Sequence, residues 1–278
     1  MASPASAPAN KTFVIDIGTH TAEEFDEHGY ILPWKIAFTH QCIRAIGLRL
    51  TMKEQHPLFF NNHTLFVRHL KVDVDDKLNS KSILSVQPTH GLFSVLYCGK
   101  SSMLFESKIM VSDDCFSKCH VQMVCVNRAT RKSTPFPDTI KNIYFYASAN
   151  KPDIPPMLQF NNNSSGVKSY CKKFIICEED VDLNKHTNNT AYLKFCVHLA
   201  REAVAAKTFT VITLDVVRSK LKEFIIQYLG ETLEGDEVVF TVWQSSQNEH
   251  LLHFEAKCGG NVVCRCQLHF NSKLCSSL

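Results

Sequence analysis

The chain runs through the same order of apolar patterns twice, and this repetition limits its folds more than any other feature. A short β-branched run from Thr12 to Ile17 precedes a helical stripe over Trp34 to Leu50, where Ile43, Ile46, Gly47 and Leu50 recur at helical spacing behind Pro33. Strand-like runs follow at Thr64 to Val74, Ser82 to Val86, Leu92 to Cys98, Met103 to Val111 and Val121 to Val126. The second round opens with a strand-like run from Lys172 to Cys177. The clearest helix comes next, Thr190 to Ala206, with Tyr192, Phe195, Cys196, Leu199 and Ala203 on one stripe and Asn188 or Asn189 as its N-cap. Runs at Glu223 to Leu229, Glu237 to Trp243, Leu251 to Ala256 and Val262 to Phe270 complete the round, the last two joined across Gly259-Gly260-Asn261, a hairpin-turn signal. One long helix laid on one curved antiparallel sheet buries the apolar face of each. The pattern therefore predicts an α+β protein built from two such units.

The boundaries follow from composition. Residues 12–134 form the first unit and 169–278 the second. Between them, residues 135–168 hold Pro135, Pro137, Pro152, Pro155 and Pro156 and the polar run from Asn161 to Gly166, the composition of a connection. Residues 1–11 are rich in Ala, Ser and Pro and read as a disordered tail. The units also share a spacing: His186 precedes Tyr192 by six residues and His28 precedes Trp34 by six, an offset of 158 that lays Asp182-x-Asn184-x-His186 on Glu24-x-Asp26-x-His28. Together with the repeated element order, this reads as a duplication.

Hydrophobic residues make up 45% of the chain and charged ones 21%, enough to bury a core. The net charge of +3 argues against a protein that binds nucleic acid through its overall charge. No apolar run reaches the ~18–20 residues a membrane-spanning helix needs. The first residues show neither a secretory h-region nor the Arg content of a mitochondrial presequence, which predicts a cytosolic location. The twelve cysteines then read as reduced thiols, many of them small core residues within strands; their spacing offers no paired C-x2-C knuckles, so no metal is expected.

The sharpest stretch is Asp180-Val-Asp182-Leu-Asn184-Lys-His186-Thr-Asn188-Asn189-Thr-Ala-Tyr192. It resembles the signature of fatty acyl-ACP thioesterases, within the 4-hydroxybenzoyl-CoA-thioesterase-like hotdog superfamily, and meets D-x-D-x-N-x-H-x-N-N-x-x-Y at every fixed position. A second stretch, from Ile226 to Asp236 with Tyr228, Glu231 and Gly235-Asp236, is similar to the strand that follows the helix in that family. The resemblance covers Ser169 to Phe270 well and the first unit only as an eroded repeat. It implies a tandem double hotdog, an internal pseudo-dimer, with further homo-oligomerisation left open. It also implies a catalytic network of Asp182, Asn184, His186 and Glu231, no cofactor, and an acyl-ACP or acyl-CoA substrate. Some members have Cys directly after the Glu; this chain has Thr232, so a thiol nucleophile there is not required. Plant-type members carry a plastid transit peptide that is not visible here, which leaves the carrier open between acyl carrier protein, a synthase carrier domain and CoA.

The residue types suit thioester hydrolysis. Water is a poor nucleophile at neutral pH, and a positioned base contributes about 10²–10⁴-fold. Glu231 with His186 would activate it, Asp182 would hold the network, and Asn184 can orient water or a carbonyl without titrating. Backbone N–H groups at Asn188 and Asn189, where the helix begins, would receive the oxyanion. Tyr192 and Phe195 would line the acyl pocket. Read without the resemblance, Asp180, Asp182 and Asn184 are a polar turn before a capped helix, His186 a structural histidine and Glu231 a solvated charge. The first unit lacks the network: Tyr30-Ile31 replaces the Asn pair, and aligning Asp76 with Asp236 puts Lys71 at the Glu231 position. That unit is expected to be non-catalytic. The alternatives are a non-catalytic acyl-binding or scaffolding protein and, less well matched, a hotdog dehydratase.

Overall fold

The computed structural model describes residues 12–54, 56–75, 81–144, 157–160, 168–182, 184–209 and 211–271. The expected tail at 1–11, Asp76 and most of the expected connection lie outside those residues. The strands are β1 (Phe13–Gly18), β2 (His63–Val74), β3 (Thr89–Cys98), β4 (Ser102–Val111), β5 (Asp114–Asn127), β6 (Ser169–Ile175), β7 (Leu221–Tyr228), β8 (Glu237–Gln244), β9 (Leu251–Cys258) and β10 (Asn261–Phe270). The helices are α1 (Pro33–Leu48), α2 (Pro57–Asn62), α3 (Lys81–Leu84), α4 (Asp138–Tyr144), α5 (Asn189–Ala205) and α6 (Leu214–Ser219). No helix among the described residues is long and apolar enough to cross a membrane.

All the strands join one ten-stranded antiparallel sheet in the order β1-β3-β4-β5-β2-β7-β10-β9-β8-β6. The order is a mirror: each half contributes five strands, and the halves meet where β2 pairs with β7, from His69↔Gln227 to Asp73↔Glu223. Helix α1 packs on β3 and β4, α5 on β8 and β6, and the two helices touch each other at the centre, with the Trp34 ring 5.3 Å from His198. Alternation explains the layering. In β4, Met103, Phe105, Ile109 and Val111 are buried beneath the helix layer while Ser102, Glu106, Lys108 and Met110 keep contact with solvent.

Gly47 interrupts an otherwise regular helical stripe, and its place in the packing gives the reason. A Cβ there would stand 2.3 Å from the Phe93 ring, and one on Gly91 would stand 2.6 Å from Ile43. Two missing side chains thus let α1 settle directly on β3. Gly47→Ala is expected to destabilise the fold by about 1–3 kcal/mol through overpacking, despite alanine's better helix propensity, read as a lower urea midpoint at unchanged m-value. The Gly259-Gly260 turn forms as its sequence predicts: both residues have positive φ, 56° and 84°, and Cys258 pairs with Asn261 to close a two-residue hairpin.

Three expectations change. Ser82 to Val86 is not a strand; Lys81–Leu84 is a helical turn held by Lys81 N–H on Gly29 O and anchored by fully buried Leu84. A run of five residues, three of them apolar, carries too little periodicity to separate the two forms. β5 begins at Asp114, seven residues before the apolar run at Val121, because Ser117 and Cys119 take inward positions that larger hydrophobes usually fill. Lys71 does not occupy the place of Glu231: it lies inside β2, opposite Ile225, with its Nζ 2.6 Å from Glu223, whereas Glu231 lies past the end of β7.

Candidate active site

The loop before α5 is folded by its own polar side chains. Asp182 Oδ1 accepts Asn184 N–H at 2.8 Å and His186 N–H at 3.4 Å, and Asn184 Nδ2 donates to Asp182 Oδ2 at 3.3 Å. Asp182 N–H donates to His186 O and Lys185 N–H to Asp182 O, each at 2.8 Å, with Lys185 in the left-handed region at φ 61°. The carboxylate therefore shapes a tight turn that carries His186. Asp180 is buried and paired with Lys194 at 3.2 Å, and its carbonyl accepts Asn188 N–H at 2.7 Å, which ties the loop to the helix start.

The same loop exists in the first half, and its backbone sets the register of the duplication at 156, not 158. Asp26 Oδ1 accepts His28 and Tyr30 N–H, as Asp182 does for Asn184 and His186. Asp26 N–H donates to Tyr30 O and Leu32 N–H to Glu24 O, as Asp182 does to His186 O and Asn188 to Asp180 O. The single bridges Phe25↔Ile31 and Val181↔Thr187 match as well. Asp26 is thus the counterpart of Asp182, His28 of Asn184, Tyr30 of His186 and Leu32 of Asn188. The first half keeps the carboxylate that folds the turn and has lost the imidazole. Its Asp26 instead faces Arg201 of α5 at 3.6 Å, and Arg218 of α6 binds Glu27 at 2.7 Å and His28 Nε2 at 2.8 Å.

Glu231 reaches His186 because the segment after β7 is stitched to the loop. Thr187 N–H donates to Thr232 O at 2.8 Å, His186 bridges Leu233, and Leu229 and Gly230 N–H both donate to Val263 O. The result sets His186 Nε2 3.7 Å from Glu231 Oε2. Thr232 is buried; its hydroxyl lies 2.7 Å from Tyr192 OH and 2.6 Å from Thr187 Oγ1, so it braces the core. Burial also pushes the Tyr192 phenol up, so it stays a neutral hydrogen-bonding group. Gly235 supplies the positive φ of the following turn, at 86°, and Asp236 Oδ2 accepts Leu233 N–H at 2.8 Å.

Asn188, not Asn189, is the N-cap of α5: its Oδ1 accepts Thr190 N–H at 3.0 Å and lies 3.0 Å from Thr190 Oγ1. Asn188→Ala is expected to cost about 1 kcal/mol of stability, measured by thermal unfolding, since the cap donor would lose its partner.

The structure brings six of the eight expected site residues to one cavity of about 410 Å³: Asp182, Asn184, His186 and Glu231, with Asn189 and Tyr192. Asn188 faces the outer side of the loop and is occupied with capping. Phe195 is buried between Phe174 and Phe240, at ring distances of 4.9 and 5.4 Å, within the helix–sheet core of the second half and outside the cavity lining. Among the described residues no cluster of His, Cys, Asp and Glu is arranged to hold a metal ion.

Thr187 and the Tyr228–Gly230 stretch complete the second half's share, and the facing walls come from the first half: α1, β2, β5 and the turn after β5. From that turn Arg131, at φ 58°, places its guanidinium on the Glu231 carboxylate, 3.4 Å from His186 Nε2 and 5.4 Å over the Phe66 ring of β2. Neither Arg131 nor Phe66 lies near the motif in sequence. The signal that could have found them is the expected pseudo-dimer, which requires that each motif be completed by the opposite half.

No protein-family model matches the chain, and no curated protein sequence does. Solved structures do. The chain is similar to an acyl-ACP thioesterase from Bacteroides thetaiotaomicron, with 16% identity and TM-score 0.69 over 94% of this chain and 98% of that one. It is similar to the 12:0-ACP thioesterase from Umbellularia californica, with 13% identity and TM-score 0.70 over the same shares of the two chains. In its fold, the chain is a double hotdog of the kind seen in those two acyl-ACP thioesterases.

Proposed function

We propose that the chain hydrolyses acyl thioesters, with residues 169–278 carrying the reacting groups and the non-catalytic residues 12–134 shaping the acyl pocket. The observation that carries this reading is the meeting of His186 and Glu231, 3.7 Å apart, in the wall of the cavity that Asn189, the first residue of α5, also lines. A water held between the imidazole and the carboxylate gives up a proton to that pair as its oxygen attacks the thioester carbon. The carbonyl oxygen gathers negative charge beside the amino end of α5, where Asn189 N–H and the helix dipole stabilise it. The carbon–sulfur bond then breaks, the proton passes to the departing thiolate, and a free acid and the carrier thiol result. Asp182 acts by holding the turn, Asn184 by orienting water or carbonyl, and Tyr192 by closing the pocket wall. Thr232 takes no part in bond making, and no cofactor enters the balance.

The likeness in fold to two acyl-ACP thioesterases supports this reading, as does the full D-x-D-x-N-x-H-x-N-N-x-x-Y pattern. The eleven described cysteines are all free thiols, which suits a reducing compartment such as the cytosol. One observation favours the non-catalytic acyl-binding alternative: Arg131 sits on the carboxylate that would take the proton. The test is thiol release by the whole chain from acyl-CoA and acyl carrier protein thioesters, presented in parallel. Turnover of either carrier's thioester supports the hydrolase and identifies the carrier; binding without turnover supports the acyl-binding alternative and ends the hydrolase reading.

A further inference from the structure

Helix α1 presents two polar side chains, Gln41 and Arg44, to the cavity that holds His186 and Glu231. Arg44 is 6% exposed; no hydrogen bond or carboxylate meets its guanidinium among the described residues, and only Cys42, Cys119 and Tyr228 stand near it as ionisable groups of opposite sign. Gln41 Oε1 is sealed from solvent and also lacks a partner. The ionisable groups around Arg44 offer no counter-charge. Burial pushes the Cys42 thiol up, the Cys119 thiol up to about 12 and the Tyr228 phenol well up, and holds His40 down at about 3. All four are neutral at physiological pH. Two other arginines line the cavity and both are engaged: Arg68 donates to Tyr228 O at 3.1 Å, and Arg131 holds Glu231.

A guanidinium stays protonated under any physiological condition, and a lone buried charge is unfavourable until a counter-charge or water meets it. A plain hydrocarbon tail laid against Arg44 would displace water and supply nothing in return. A carboxylate would match its planar fork with two parallel N–H···O bonds. We propose that the acyl group taken by this cavity carries a carboxylate of its own, bound by Arg44, so that the substrate is the monothioester of a dicarboxylic acid. The reaction rests on the hydrolase reading above; the recognition rests on α1 alone.

The experiment compares straight-chain acyl-CoA thioesters with their ω-carboxy counterparts along a ladder of chain lengths, read as thiol release, beside the thermal shift produced by the free dicarboxylic acids. The wild-type chain is expected to favour the ω-carboxy thioester about 100-fold in kcat/KM at its best length. Arg44→Met should erase that preference, while Arg44→Lys should retain part of it. Equal or faster turnover of the unsubstituted thioesters, or of neutral ω-hydroxy ones, overturns the carboxylate and leaves the hydrolase standing. If no thioester is turned over, the hydrolase falls, and a dicarboxylate thermal shift that Arg44→Met abolishes still supports the recognition; no shift overturns it. Should Arg44→Met fail to fold, the wild-type substrate ratio decides alone.

Discussion

Replacing Glu231 with Gln is expected to lower kcat for acyl thioester hydrolysis about 10²–10⁴-fold, and His186→Ala to do so to a similar extent, because each removes one member of the pair that accepts the proton of water. The two losses should not add in the double variant, since groups that act on one solvent molecule fail as a unit. Stability should barely move. Glu231 is about half exposed and its contact with Arg131 is a surface ion pair, a type worth about 0–1 kcal/mol. His186 stands at the cavity wall with its ring 6.3 Å from Phe66, outside the close-packed core. Stopped-flow or steady-state thiol release, with circular dichroism to establish folding, separates the two effects. Near-normal kcat in both variants would remove the proposed chemistry whatever the substrate.

Stability is expected to fall by about 4 kcal/mol between pH 7.5 and pH 5, from two buried imidazoles alone. His40 is 1% exposed, its Nδ1 lies 2.9 Å from Ser107 Oγ and its Nε2 2.9 Å from Ser117 Oγ, and burial holds its pKa at about 3. His69, at 1% exposed in the central seam, is held at about 4 by burial and the nearby Arg68 charge. Both stay neutral in the fold at pH 5, whereas in the unfolded chain both titrate near 6.5. The unfolded state therefore binds more protons below that pH, so the stabilisation is complete above about 6.5 and is lost as the pH drops toward the folded values. Each group gives about 1.5 pH units at about 1.4 kcal/mol per unit. Urea midpoints across this range measure the effect. His40→Asn should flatten its share of the slope; an unchanged slope would show that His40 already titrates normally in the fold.

The sequence disclosed what is local and hid what is not. The loop before α5 is legible because Asp182, Asn184, His186 and the Asn188 cap lie within seven consecutive residues and all serve one turn and one helix start. The two-unit architecture is legible for a similar reason: each helix stripe and each β alternation is a short-range pattern. The register of the repeat was misled by identity. Matching His28 to His186 gives 158, yet the backbone hydrogen bonds match Asp26 to Asp182 and leave Tyr30 where the imidazole stands. The turn geometry has outlived the side chain that used it. Phe195 misled in another way: a helical stripe shows which side of α5 is buried, and cannot separate residues facing the sheet from those facing a cavity. Arg44, Phe66 and Arg131 were out of reach because their relation to the motif exists only through the β2–β7 seam.

That seam divides labour between two stretches of one polypeptide. The proposed bond-breaking groups are written in the carboxyl-terminal half, while much of the facing cavity wall is written in α1 and β2, more than a hundred residues upstream. On the proposed function, drift in α1 can redraw which molecules are accepted without disturbing how they are cut, and the reverse holds for the loop before α5. A symmetric pair of identical subunits has no such freedom, because every change there is made in both places at once.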